Sequence, residues 1–195
     1  KNMFDHFNDN RFSIVLACRQ SGKSISSVAY LLWYALFNSE KNIAVLANKG
    51  ATSREMLSRI TLMLENLPFF LQPGTKTLNK GSIEFSNNSK IIAAATSGSS
   101  IRGMSVSLLY LDEFAHIPSN IIEPYYTAAF PTTAAVQNSK IIITSTPNGM
   151  NLFHRLLTDA ERPEGDPMKN NYKPMRVYWY QVPGRFVTYI RLNPH

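Results

Sequence analysis

The sequence predicts an α/β fold with a mainly parallel sheet and helices on both faces. Three observations lead there. Short β-prone apolar runs alternate with amphipathic helical patterns, the first run passes through a glycine-lysine-serine loop into a helix, and three predicted strand ends carry clustered hydroxyl, acidic or phosphate-binding residues. With 195 residues, 44% of them hydrophobic and 17% charged, the chain is long enough to bury one core and lacks the composition of a disordered segment.

Taken in order, Met3, Phe4 and Phe7 stand at helical spacing before the turn-prone Asn8-Asp9-Asn10, as in the tail of a helix cut at its start. Phe12–Ala17 is a continuous β-prone run suited to a parallel strand covered on both faces. A helix is predicted over residues 25–37, where Val28, Leu31, Leu32, Ala35 and Leu36 recur at three and four residues. Asn42–Ala47 repeats the strand pattern, and Met56, Leu57, Ile60, Met63, Leu64 and Leu67 stripe a second helix that Pro68 stops. This rhythm implies right-handed parallel crossovers.

The middle departs from it. Ser82–Phe85 and residues 90–94 are short β-prone runs separated by Ser86-Asn87-Asn88-Ser89, which predicts a small β-hairpin insertion, a local decoration of the sheet. A polar loop over residues 96–100 leads to Ile101-Arg102-Gly103, and residues 107–111 form a buried strand ending on Asp112-Glu113. Residues 121–135 are amphipathic but contain Pro124 and Pro131, so the helix is expected in pieces. Residues 140–144 are the most β-branched run, followed by Ser145-Thr146-Pro147-Asn148-Gly149. Leu152–Ala160 reads as a helix, residues 162–171 as a polar loop and residues 175–180 as a last strand.

The chemistry gathers at strand ends. In Ala17-Cys18-Arg19-Gln20-Ser21-Gly22-Lys23-Ser24, between a strand and a helix, backbone amides and the helix dipole can wrap phosphates. Lys23 then reaches the β and γ groups and the Ser24 hydroxyl holds Mg²⁺. Ala17 stands where the usual pattern has a first glycine, so this loop needs support from elsewhere. Leu108-Leu109-Tyr110-Leu111-Asp112-Glu113 supplies it: the first acid can anchor the Mg²⁺ shell and the second polarise water, with the two pointing to opposite faces of the strand. Thr144-Ser145-Thr146 adds hydroxyls that can contact a γ-phosphate or its water, although such residues also commonly end strands. All three groups fall where open α/β sheets bind ligands.

Within the loop, Arg19 can stabilise charge on a γ-phosphate or instead pair with a loop acid. Cys18 reads as a small loop residue rather than a nucleophile, and His6, His116 and His154 read as structural or surface residues without metal-ligand spacing. Lys49, between a strand end and a helix start, and Arg102, before the acidic strand, are candidates for contact with DNA or a neighbouring subunit; exposed solvated turns are the equal alternative. Twenty Lys and Arg against thirteen acids give a formal charge of +7, which favours a polyanionic partner. A single cysteine, no apolar run of bilayer-spanning length and no secretory leader read as a soluble, cytoplasmic protein; the start at Lys1 reads as a fragment.

With these residues in view, the chain resembles the ATPase domain of the large terminase subunit of tailed bacteriophages. The resemblance runs from about Arg11 to Asn151 and rests on the Cys18-to-Ser24 loop, Leu71-Gln72-Pro73-Gly74, Asn79-Lys80-Gly81-Ser82, Ile101-Arg102-Gly103, Leu111-Asp112-Glu113 and Thr144-Ser145-Thr146-Pro147-Asn148-Gly149. It implies a RecA-like P-loop NTPase fold and ATP-driven translocation of double-stranded DNA into a procapsid. By that resemblance residues 18–24 bind ATP, Lys23 and Arg19 assist the chemistry, and Ser24 and Asp112 support Mg²⁺. Glu113 becomes the catalytic carboxylate, and Thr144, Ser145 and Thr146 couple hydrolysis to movement. It also implies a portal protein and a small terminase subunit as partners, assembly into a homo-oligomeric ring, and work in the host cytoplasm. Family members usually carry an adenine-reading glutamine upstream of the loop and a carboxy-terminal nuclease. Neither is evident in this sequence, so no DNA cleavage is expected of it, and residues 186–195 are assigned no role. The alternatives are a helicase-like ATPase lobe and a non-catalytic nucleotide- or DNA-binding module.

Overall fold

Alternation of side chains along four buried strands splits the core into two halves, one on each face of a single sheet. The strands are β1 (Phe12–Ala17), β2 (Asn42–Ala47), β3 (Thr75–Leu78), β4 (Ser82–Phe85), β5 (Lys90–Ala95), β6 (Leu108–Leu111), β7 (Lys140–Ser145) and β8 (Lys173–Val177). The computed structural model describes residues 2–96 and 104–182; Arg102 with its neighbours Ile101 and Gly103, and residues 186–195, lie outside the described residues.

Val15, Ala17, Ile43, Val45, Leu108, Tyr110 and Ile142 point to one face, where they pack with α1 (Met3–Asp9), α2 (Lys23–Phe37) and α3 (Gly50–Glu65). Ile14, Ala44, Leu46, Leu109, Leu111, Ile141 and Ile143 point to the other, against α4 (Ser119–Ala135) and α5 (Leu152–Ala160). The period of two is what a strand buried on both faces requires, and it produces the helix-sheet-helix layering that the sequence predicts.

The sheet order is β3-β4-β5-β2-β6-β7-β1-β8. Strands β5, β2, β6, β7, β1 and β8 run parallel, and β4 and β3 are added antiparallel at one edge. Because β1, β7 and β6 are adjacent, the residues that follow them are neighbours in space although up to about a hundred and thirty positions separate them in the chain. This is the property of the fold that matters for function.

Three features differ from the sequence reading. The hairpin forms with the expected turn, but it is built into the sheet: β5 pairs in parallel with β2, and Ile83, Phe85 and Ile91 are wholly buried in the core beneath α3. α4 is continuous across Pro124 and Pro131. Both prolines face solvent, so the carbonyls they leave unbonded can be hydrated, while Ile122, Tyr125 and Ala129 on the opposite side hold the helix to the sheet. The last strand covers Lys173–Val177 and gives way to a 3₁₀ turn, Trp179–Gln181, rather than running to residue 180. In α1 the Asn2 side chain accepts from the Asp5 amide at 2.9 Å.

Part of the positive charge serves the fold. Lys140 Nζ donates to the carbonyls of Phe7, Asn8 and Asn10 at 2.8–3.0 Å, closing the carboxyl end of α1. Arg11 donates likewise to the carbonyls of Ala134, in the last turn of α4, and of Val136 and Ser139 just beyond it. Among the described residues no helix is long and apolar enough to cross a membrane.

Candidate active site

The loop between β1 and α2 is shaped by two left-handed residues, Gln20 at φ 57° and Gly22 at φ 81°. A Cβ on Gly22 would meet nothing within 4 Å, so glycine is required there by backbone conformation and not by crowding. Gly22 caps α2 without any side-chain hydrogen bond, which leaves the first amides of a fifteen-residue helix directed at the loop. At the other side the Cys18 amide donates to the Val177 carbonyl at 3.0 Å, tying the loop's entry to β8.

Lys23, the first helical residue, is 94% buried and turns back across the strand ends. Its Nζ lies 2.7 Å from Asp112 Oδ1 and 3.0 Å from Glu113 Oε1. The sequence reading put the two acids on opposite faces. Instead the strand ends at Leu111, and Glu113 adopts a left-handed φ of 48°, which brings both carboxylates to one ammonium group.

Strand alternation determines what each hydroxyl of Thr144-Ser145-Thr146 touches. Thr144, on the α2 face, is wholly buried and donates to Asp112 Oδ1 at 3.1 Å. Tyr110, two residues before Asp112 on the same face, donates to the same oxygen at 3.1 Å and lies 2.8 Å from Thr144 Oγ1. Burial and the neighbouring Asp112 charge push the Tyr110 phenol well above its ordinary pKa, keeping it a donor. Ser145, on the other face, accepts from the Ala115 amide at 3.0 Å, so it fastens the 3₁₀ turn Phe114–His116 that follows Glu113. Only Thr146 of the three reaches the cleft, where its hydroxyl and its amide both donate to Glu113 Oε2, at 3.1 and 3.2 Å. Burial pushes the Glu113 carboxyl up, but the Lys23 charge and the hydrogen bonds from Lys23 and Thr146 outweigh it and leave the pKa below the ordinary value.

The resulting cleft of about 310 Å³ is lined by residues 18–25 together with Arg59, Glu113 and Thr146. Cys18, Arg19, Gln20, Ser21, Gly22, Lys23 and Ser24 therefore all border it, with Arg19 and Gln20 on its exposed side. Two of its features suit a phosphate chain, the uncapped α2 amides and the buried Ser21 hydroxyl, which has no hydrogen-bond partner, while the adjacent Asp112 and Glu113 carboxylates are the hard oxygen donors that a divalent cation needs. Lys49 is exposed at the start of α3, away from the cleft lining.

Two residues escaped the sequence reading. Arg59, on α3, lines the cleft and is held by Glu55 at 2.7 Å; its distance in sequence from every motif hid it. His116, read as structural or surface, has its ring Nε2 at 2.8 Å from Thr146 Oγ1 and 3.6 Å from Glu113 Oε2. The spacing Glu113-x-x-His116 on a 3₁₀ turn, where residues three apart eclipse, was the available signal.

A family model described as terminase large subunit, T4likevirus-type, N-terminal, matches residues 14–186. The fold is similar to the large terminase ATPase domain of Thermus phage P74-26, at 18% identity and a TM-score of 0.75 over 93% of this chain and 82% of that one. It is also similar to the HK97 bacteriophage large terminase, at 21% identity and a TM-score of 0.64 over 77% of this chain and 33% of that one. A large terminase from a thermophilic bacteriophage, solved in complex with ATP-gamma-S, matches at 15% identity and a TM-score of 0.63 over 90% of this chain and 41% of that one. At such identities the likeness is one of fold, whereas the family match spans most of the sequence. The chain belongs to the terminase large-subunit family, matching its N-terminal part and sharing the fold of its ATPase domains.

Proposed function

We propose that this chain hydrolyses ATP and acts as the motor domain that drives double-stranded DNA into a viral procapsid. The observation that carries the reading is Glu113: an ionised carboxylate at the lip of a phosphate-shaped cleft, with one oxygen on Lys23 and the other on Thr146. The α2 amides and the loop backbone take the phosphates, and Lys23 exchanges its two carboxylate partners for the β and γ oxygens. Glu113, released from Lys23, then orients and polarises the water that attacks the γ-phosphorus, and ADP leaves. Ser24 and Asp112 would hold magnesium, which when bound neutralises charge on the phosphates.

Arg19, on the exposed side of the loop, would stabilise charge as the γ-phosphoryl departs. Thr146 touches the carboxylate that senses the γ-phosphate, so a change in Glu113 on hydrolysis passes directly to β7 and the loop after it. DNA, the portal protein, the small terminase subunit, a ring of subunits and the host cytoplasm as the working place belong to this same reading. Lys49 is its candidate DNA or inter-subunit contact within the described residues.

Phosphate release by the wild-type chain, Lys23→Ala and Glu113→Gln tests it, with DNA present and absent. Each substitution is expected to lower turnover by about 100-fold or more. Turnover near wild type in either variant would sink the assignment.

A further inference from the structure

We propose that His116 is a positioning residue for Glu113, acting through Thr146; the inference rests on the ATPase reading above. The direction of the hydrogen bonds decides it. Thr146 Oγ1 carries one proton, and the carboxylate oxygen Glu113 Oε2 at 3.1 Å can only accept it. The 2.8 Å contact between Thr146 Oγ1 and His116 Nε2 must then be donated by the imidazole. The result is a one-way chain, His116 Nε2–H to Thr146 Oγ1–H to Glu113 Oε2. At 3.6 Å the ring is too far from Glu113 to bond it well directly, so its effect travels through the hydroxyl.

The ring is held where it can do this. The His116 amide closes the 3₁₀ turn on the Glu113 carbonyl at 2.9 Å, and its own carbonyl accepts from Asn48 Nδ2 at 3.2 Å, beyond the end of β2. One residue earlier, the Ala115 amide is bound to Ser145, and the Ala115 carbonyl accepts from Asn148 and Asn151 at 2.9 and 2.8 Å. The turn is thus pinned to two strand ends, and the imidazole inherits their rigidity. A threonine hydroxyl without the ring can rotate toward water once Lys23 moves to the phosphates. With it, the hydroxyl stays on Glu113, and the carboxylate keeps the orientation needed to align a water.

Kinetics of ATP hydrolysis for wild type, His116→Phe and His116→Gln test the proposal. Phenylalanine keeps a ring but no donor, whereas glutamine can place an amide N–H where Nε2 stands. Expected are a kcat lower by about 10-fold for His116→Phe, a KM for ATP within about twofold of wild type, and recovery of most of kcat in His116→Gln. A kcat for His116→Phe within about twofold of wild type overturns the proposal, and so does a His116→Gln as slow as the phenylalanine variant. Nitrogen-15 NMR of the imidazole reads the tautomer without any turnover: Nε2–H is expected, and Nδ1–H overturns the chain of donors. If neither wild type nor Glu113→Gln releases phosphate, the ATPase reading fails by itself, and the tautomer still decides whether His116 supports Thr146.

Discussion

Thr146 holds Glu113 with two donors at once, its amide at 3.2 Å and its hydroxyl at 3.1 Å on the same carboxylate oxygen. The residue at the end of β7 and the acid at the end of β6 therefore move as a unit. The amide hydrogen bond survives any substitution at position 146 other than proline, so a side-chain change there removes only the hydroxyl. Thr146→Val is expected to lower kcat by about 10-fold with little change in KM for ATP, while Thr146→Ser stays near wild type. Equal rates for valine and serine would contradict a role for the hydroxyl.

The ionisation of Glu113 leaves a mark on stability. Its folded-state pKa lies below its ordinary 4.5, because the Lys23 charge and the bonds from Lys23 and Thr146 outweigh burial. For a depressed carboxylate the stabilisation is complete above the unfolded value and is lost as pH falls through the folded one. Urea midpoints measured between about pH 6 and about pH 3 should fall less steeply in Glu113→Gln than in wild type. Parallel slopes would show that the pair adds nothing.

Arg59 reaches the cleft from α3, a helix that carries none of the motifs. Its guanidinium is partly exposed, so its attraction to a bound nucleotide is modest and screened by salt. Arg59→Ala is expected to raise KM for ATP by about 3- to 10-fold at low salt, less at high salt, with kcat nearly unchanged. A salt-independent KM equal to wild type would remove Arg59 from the site.

Pro131 sits on the exposed side of the continuous helix α4 and deprives the Thr127 carbonyl of its helical partner. Replacing it with alanine restores that bond at a position already helical. Pro131→Ala should raise unfolding stability by about 1–2 kcal/mol, a gain reduced by the greater freedom of the unfolded chain. A loss measured by urea denaturation would mean that the ring packs against something its exposure does not suggest.

The strand, loop and helix around Gly22 were legible because the pattern is local: β1, the loop and α2 follow one another within about twenty-five residues, and Gly22 has the left-handed backbone that such a turn needs. The strands β1, β2 and β4 and the helix α5 were readable with their limits, since each carries a period or a β-branched run of its own. Less local features were not. The hairpin's place in the sheet depends on β5 meeting β2, a pairing that nothing within the hairpin specifies. The continuity of α4 depends on which side faces water.

By itself the sequence determined which residue types stand at which strand ends: Lys23 after β1, Asp112 and Glu113 after β6, Thr146 after β7. Only the tertiary structure decided how they meet. The order β6-β7-β1 makes the three ends adjacent, and the left-handed turn at Glu113 sets both acids on Lys23. Strand alternation buries Thr144 under Asp112, gives Ser145 to the turn, and leaves Thr146 to Glu113. The physical reason is that periodicity specifies which face a side chain takes. Which strands lie side by side follows from packing and pairing across the whole sheet.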